Sequence, residues 1–138
     1  MKGLFAGGMQ SMPPVNLRGD AFQLILQIHF DLNMPIAEYQ KMADSVAHAF
    51  LDVPGLKWKI WLLNPAAQEA GGIYLFDSQA ALDAYLNGPL VAHLRGLPSI
   101  RNISIKQFEV MPEITAVTRG PFERAWTSDS QRIANRMA

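Results

Sequence analysis

From Ala21 onward the chain falls into alternating and helical stretches. Leu24, Leu26, Ile28 and Phe30 are interleaved with Gln23, Ile25, Gln27 and His29, a period of two that predicts a strand with one wholly apolar face. Pro35 suits the first turn of a helix, and Tyr39, Met42, Ala43, Val46 and Phe50 recur at helical spacing until Val53-Pro54-Gly55 stops the run. LKWKIWLL, Leu56 to Leu63, returns to period two, with Leu56, Trp58, Ile60 and Leu62 on one side and Lys57, Lys59, Trp61 and Leu63 on the other. Asn64-Pro65 turns the chain into a third strand, Gly71 to Phe76, which separates Ile73 and Leu75 from Tyr74 and Phe76. Asp77 or Ser78 can cap a second helix carrying Leu82, Tyr85 and Leu86, broken or kinked at Gly88-Pro89 before a continuation through Leu90, Val91 and Leu94. Ile103 to Val110 supplies the fourth strand.

Strand, helix, strand, strand, helix, strand is the split βαβ order of the ferredoxin-like fold: α+β, βαββαβ, a four-stranded antiparallel sheet with two helices on one face. The domain spans 21–111. An N-terminal extension, 1–20, is rich in Gly, Pro and Met and has no period. A C-terminal extension, 112–138, carries a short strand pattern at Ile114 to Thr118, a Gly-Pro turn and a polar tail.

Composition narrows the function. With 138 residues the chain buries roughly two thirds of its unfolded surface, enough for one core. Zero cysteines exclude thiolate catalysis and Cys-based metal sites. Twelve Lys and Arg balance twelve Asp and Glu, so there is no excess of positive charge for nucleic acid or an anionic membrane. No apolar run approaches the roughly 18 residues of a membrane span, and the first residues lack the apolar core of a secretory leader, which points to the cytoplasm. The three histidines have no metal-binding spacing, so no metal is expected.

The helices should cover the face bearing Leu24, Leu26, Ile28 and Phe30, together with Leu56/Trp58/Ile60/Leu62, Ile73/Leu75 and Ile103/Ile105. The other face then carries Gln27, His29, Lys59, Trp61, Tyr74, Phe76, Ser104, Lys106 and Phe108. So many aromatics ask to be covered, while the polar members resist a dry interface. A wet cavity between the sheets of two copies of the chain meets both demands, and such cavities are the usual form of a small-molecule site.

Two segments on these strands, GLKWKIW (Gly55 to Trp61) and EAGGIYLF (Glu69 to Phe76), separated by a short polar turn, resemble the signature of the YdhR-type family of proposed monooxygenases. That family belongs to the dimeric α+β barrel superfamily, with the antibiotic-biosynthesis monooxygenases. The likeness runs from about Gln23 to Val110. It implies a homodimer with a pocket in each subunit and cofactor-free oxygenation, by molecular oxygen, of a small phenolic or polycyclic aromatic compound. Trp61 and Tyr74 are the site positions that lie within the matching motif.

The remaining candidates come from alternation. His29, the only histidine on a strand, could take a phenolic proton, or simply bond to backbone or water. Lys59 could stabilise a phenolate or a reduced oxygen species, or lead its charge out to solvent. These two are the catalytic candidates. Trp61, Tyr74, Phe76, Gln27, Ser104 and Phe108 are the substrate-binding candidates, against the plain alternative that large aromatics on a sheet are packing. His48 and His93 read as structural or solvated. The rival functions are an isomerase or cyclase, a haem-degrading enzyme on the same fold, and a binder of small hydrophobic ligands without turnover.

Overall fold

The computed structural model describes residues 23–122. They fall into two compact units, Gln23–Val110 and a second unit of flanking chain of which 111–122 are described. The extension expected over 1–20 and the polar tail beyond 122 lie outside the described residues.

The larger unit holds β1 (Leu24–Leu32), α1 (Ile36–Val46), a 3₁₀ segment (Ala47–Asp52), β2 (Leu56–Asn64), β3 (Glu69–Phe76), α2 (Gln79–Leu86), α3 (Pro89–Arg95) and β4 (Ile100–Glu109). All strand pairs are antiparallel, in the order β2-β3-β1-β4, which is the ferredoxin-like α+β arrangement the sequence predicts. Local chemistry explains the joints. Ser78 caps α2 by accepting a hydrogen bond from the Ala81 amide at 3.1 Å. Gly88-Pro89 starts a new helix, with Pro89 in the first turn, where its missing N–H has no intrahelical partner to lose. In the smaller unit, Ile114 to Thr118 is not a strand. Pro112 and Glu113 both favour a helical first turn, and α4 runs Pro112–Val117.

The faces of the sheet follow from pairing, because residues directly opposite each other point the same way. Leu24 pairs with Phe76 and Leu26 with Tyr74. Leu24, Leu26, Ile28 and Phe30 lie in the core with Tyr39, Leu82, Tyr85 and Val91 of the helices, so Tyr74 and Phe76 face the helices too. This corrects the assignment of β3. Both of its faces are apolar, so alternation marks two sets without saying which set is inside.

A bulge corrects β2 as well. Leu56 pairs with Phe76 but Trp58 with Leu75, so Lys57 is an extra residue and the parity of the strand inverts after it. Lys59 then stands opposite Tyr74 and Trp61 opposite Gly72, on the helix side, while Trp58, Ile60 and Leu62 turn to the other face. The predicted faces of β1 and of Ser104, Lys106 and Phe108 on β4 agree with the register.

Phe76, one of the substrate-binding candidates, is fully buried beside Leu26 and Ile28. Phe76→Ala is therefore expected to cost about 3–5 kcal/mol of stability, read from the midpoint of urea unfolding, as a core truncation does. Ile60→Ala, at a position 48% exposed, should shift that midpoint far less.

Candidate functional site

The parity of β2 after its bulge builds a site between sheet and helices. A cavity of about 70 Å³ is lined by Lys59 and Trp61 of β2, Tyr74 of β3, Tyr39 of α1, Phe50 of the 3₁₀ segment, Tyr85 of α2 and His93 of α3, among others. At its centre is a lysine. The Lys59 Nζ lies 3.3 Å from the centroid of the Trp61 ring, 3.8 Å from that of Phe50 and 4.8 Å from that of Tyr74. Ring faces attract a cation through their quadrupole but replace only part of its hydration. No carboxylate lines the cavity among the described residues. Desolvation accordingly pulls the Lys59 ammonium down from 10.5 to about 7.

The sequence arranges this cage with small devices. Phe50 meets Trp61 edge to face at 5.2 Å. Its segment leaves α1 in 3₁₀ form and ends at Val53, before Gly55 takes φ +78° in the turn to β2. Gly72 leaves room for the lysine stem: a Cβ there would lie 2.8 Å from Lys59 Cε and 3.2 Å from the Tyr74 ring. The Tyr85 hydroxyl donates to the Tyr74 hydroxyl across 3.2 Å, and both are buried. Burial, then the neighbouring phenol, push Tyr74 far above the usual tyrosine range, so it stays a neutral hydrogen-bond donor. Trp61, 37% exposed, also walls a larger open groove of about 410 Å³ bounded by Gln40, Asp44 and Leu63.

The candidates from the sequence divide into two sets. Lys59, Trp61 and Tyr74 come together in the cavity, and Phe76 lies in the core behind Tyr74, its ring stacked on Tyr74 at 6.3 Å. His29 pairs with Gly71 and Ser104, Gln27 with Lys106 and Ile25 with Phe108, which puts His29, Gln27, Ser104 and Phe108 on the face opposite the cavity. The expectation of a cavity between two sheets is thus corrected: the space lies within one chain, under the helices. Phe50, Tyr85 and Tyr39 belong to helical apolar stripes and read as core from sequence. His93 reads as helix-terminal and solvated, yet it reaches the cavity while remaining exposed.

With that geometry in hand, likeness to known proteins becomes informative. The family described as "Putative mono-oxygenase ydhR" matches residues 25–121. The chain belongs to that family. No functionally curated protein matches it. Among solved structures, NE2512 of Nitrosomonas europaea, a protein of unknown function, superposes with TM-score 0.58 at 19% identity over 67% of this chain and 93% of its own. SnoaB, a cofactor-independent oxygenase from Streptomyces nogalater, gives 0.54 at 18% identity over 67% and 100%. MhuD, a heme-degrader from Mycobacterium tuberculosis, gives 0.52 at 22% identity over 65% and 97%. At these identities the likeness shows a shared fold. Among the described residues no helix is long and apolar enough to cross a membrane, and no three His, Cys, Asp or Glu gather as metal ligands.

Two outcomes follow from the caged lysine. Because its folded value is depressed, the unfolded chain binds the extra proton between pH 7 and 10.5, and stability contributed at this position rises with pH through that window. Lys59→Met should raise the melting temperature at pH 7 and flatten its rise between pH 7 and about 9, before tyrosine ionisation in the unfolded chain begins. Gly72→Ala must displace the lysine stem or the Tyr74 ring, at an expected cost of about 1–3 kcal/mol, and should move the Lys59 ε-carbon titration read by NMR.

Proposed function

We propose that the protein is a homodimeric, cytoplasmic, cofactor-independent monooxygenase that oxidises a small phenolic or polycyclic aromatic compound with molecular oxygen. The observation that carries this reading is the Lys59 amine inside an aromatic cavity without a counter-ion. Near neutral pH about half of it is free base. As base it takes the proton of a bound phenol or enol. As ammonium it then holds the anion, with the Tyr74 hydroxyl as a donor beside it. The substrate anion supplies the electrons that reduce oxygen, one oxygen atom entering the substrate and the other leaving as water. Membership of a mono-oxygenase family and the shared fold of an oxygenase that works without cofactor both support this chemistry. His29 lies on the far side of the sheet, so Lys59 takes the role of base that alternation suggested for either residue.

Magnitudes select the substrate. An ordinary phenol, near pKa 10, lies about three units above Lys59, about 4 kcal/mol uphill before the ion pair forms. Acidified phenols, hydroquinones and enolisable anthrones are therefore better substrates than simple phenols. The cavity is also smaller than the roughly 150 Å³ that an engineered site needs to hold benzene. Aromatic substrates must displace Trp61 or Phe50, and the Trp61 side opens on the larger groove.

Oxygen uptake by the purified protein with a panel of anthrones and hydroquinones tests the assignment. Lys59→Met should lower kcat by a factor on the order of 10²–10⁴ and His29→Ala should leave it unchanged. Turnover indifferent to both Lys59→Met and Trp61→Ala rejects it.

The helix-free face of the sheet supports the dimer. Trp58, Ile60, Leu62, Ile73, Ile25 and Phe108 share it, with Ile60 and Phe108 48% and 49% exposed. An apolar face this broad suits a second copy of the chain. Sedimentation should give a dimer, and Ile60→Asp with Phe108→Asp a monomer; a wild-type monomer overturns it.

Haem is the rival ligand, because His93 offers a nitrogen at the cavity and a heme-degrader shares the fold. A cavity of about 70 Å³ does not accept a porphyrin. Haem titration should therefore give no Soret band that His93→Ala abolishes.

A further inference from the structure

The cavity carries a reactivity distinct from oxygen chemistry. We propose that Lys59 is a carbonyl-capturing amine, whose Nζ condenses with a small aldehyde or ketone in the aromatic cavity to form an imine. Three observations converge on it. The Nζ is enclosed by the rings of Phe50, Trp61 and Tyr74, with no carboxylate beside it to hold it as an ammonium. The titratable groups that share the cavity are Tyr74 from β3, Tyr39 from α1, Tyr85 from α2 and His93 from α3, none of them an anion that would stabilise the cation. Burial raises all three phenols, so they remain neutral where the amine is already free. An amine desolvated in an apolar pocket is a nucleophile near neutral pH, where exposed lysines are almost wholly protonated.

The step balances without a co-reactant. The nitrogen lone pair bonds to the carbonyl carbon, and one N–H proton moves to the oxygen to give a carbinolamine. The second N–H proton and the hydroxyl then leave as water, and the C=N bond forms. His93, exposed and reaching the same cavity, is placed to carry protons between it and solvent, since an imidazole both donates and accepts. The free space suits a short aldehyde without movement of the cage. This proposal rests on the cavity described above and not on its use for oxygenation.

The test is reductive trapping of the full chain with propanal and sodium cyanoborohydride under nitrogen, followed by peptide mapping of its five lysines, Lys2, Lys41, Lys57, Lys59 and Lys106. Lys59 should be propylated first, with an initial rate that rises to half its plateau near pH 7. Lys59→Arg should remove that fast phase and leave the slow labelling of the other four. Labelling spread evenly over the lysines, or a Lys59 rate that keeps climbing to pH 10, overturns the proposal. Because the measurement is made on the unaltered protein, it does not depend on whether the variant folds. Trapping without oxygen uptake would leave the amine's reactivity standing and remove the oxygenase; oxygen uptake without trapping would do the reverse.

Discussion

A charged amine leaves water only at a cost, and in this chain Lys59 leaves it for three ring faces and no anion. The rest of the site serves that exchange. The extra residue at Lys57 turns the strand so that Lys59 points under the helices, Gly72 leaves its stem a path, and the 3₁₀ segment lowers Phe50 onto it. Without the bulge the same strand would hold Trp58 and Ile60 over the core and send the lysine to the opposite side. The chemistry of the cavity is therefore set by backbone register before it is set by residue type.

The order and boundaries of the elements were legible because period two and period 3.6 differ plainly here and because Pro35, Ser78 and Gly88-Pro89 mark helix starts with specific local chemistry. Lys59, Trp61 and Tyr74 were legible as a group because they keep company on neighbouring strands and two of them lie in the family's motif. The face they occupy was not. β2 and β3 are apolar on both sides, so hydrophobicity is silent on which side is inward, and only the pairings Leu26 with Tyr74 and Tyr74 with Lys59 decide it. His29 was misplaced for the converse reason: its own strand was phased correctly, but its supposed neighbours had moved to the other side. Phe50 and Tyr85 were hidden in helical stripes, where a cavity-lining aromatic and a core aromatic follow the same spacing.

The arrangement also divides the work of the fold. The helix side supplies enclosure, a low-polarity surrounding and neutral phenols around one titrating amine. The outer side supplies a broad apolar surface with Gln27, His29 and Ser104 among its polar members. The oxygenase reading and the imine reading use the first; association with a second copy would use the second.

Past its bulge, β2 writes two messages in one line of text: odd-numbered residues furnish the chamber and even-numbered ones the exterior. Natural drift or a designer could therefore rewrite either message by substitution alone while leaving its companion legible. The insertion or loss of one amino acid between Trp58 and Leu63 would interchange them, so in this stretch length should be guarded more strictly than identity.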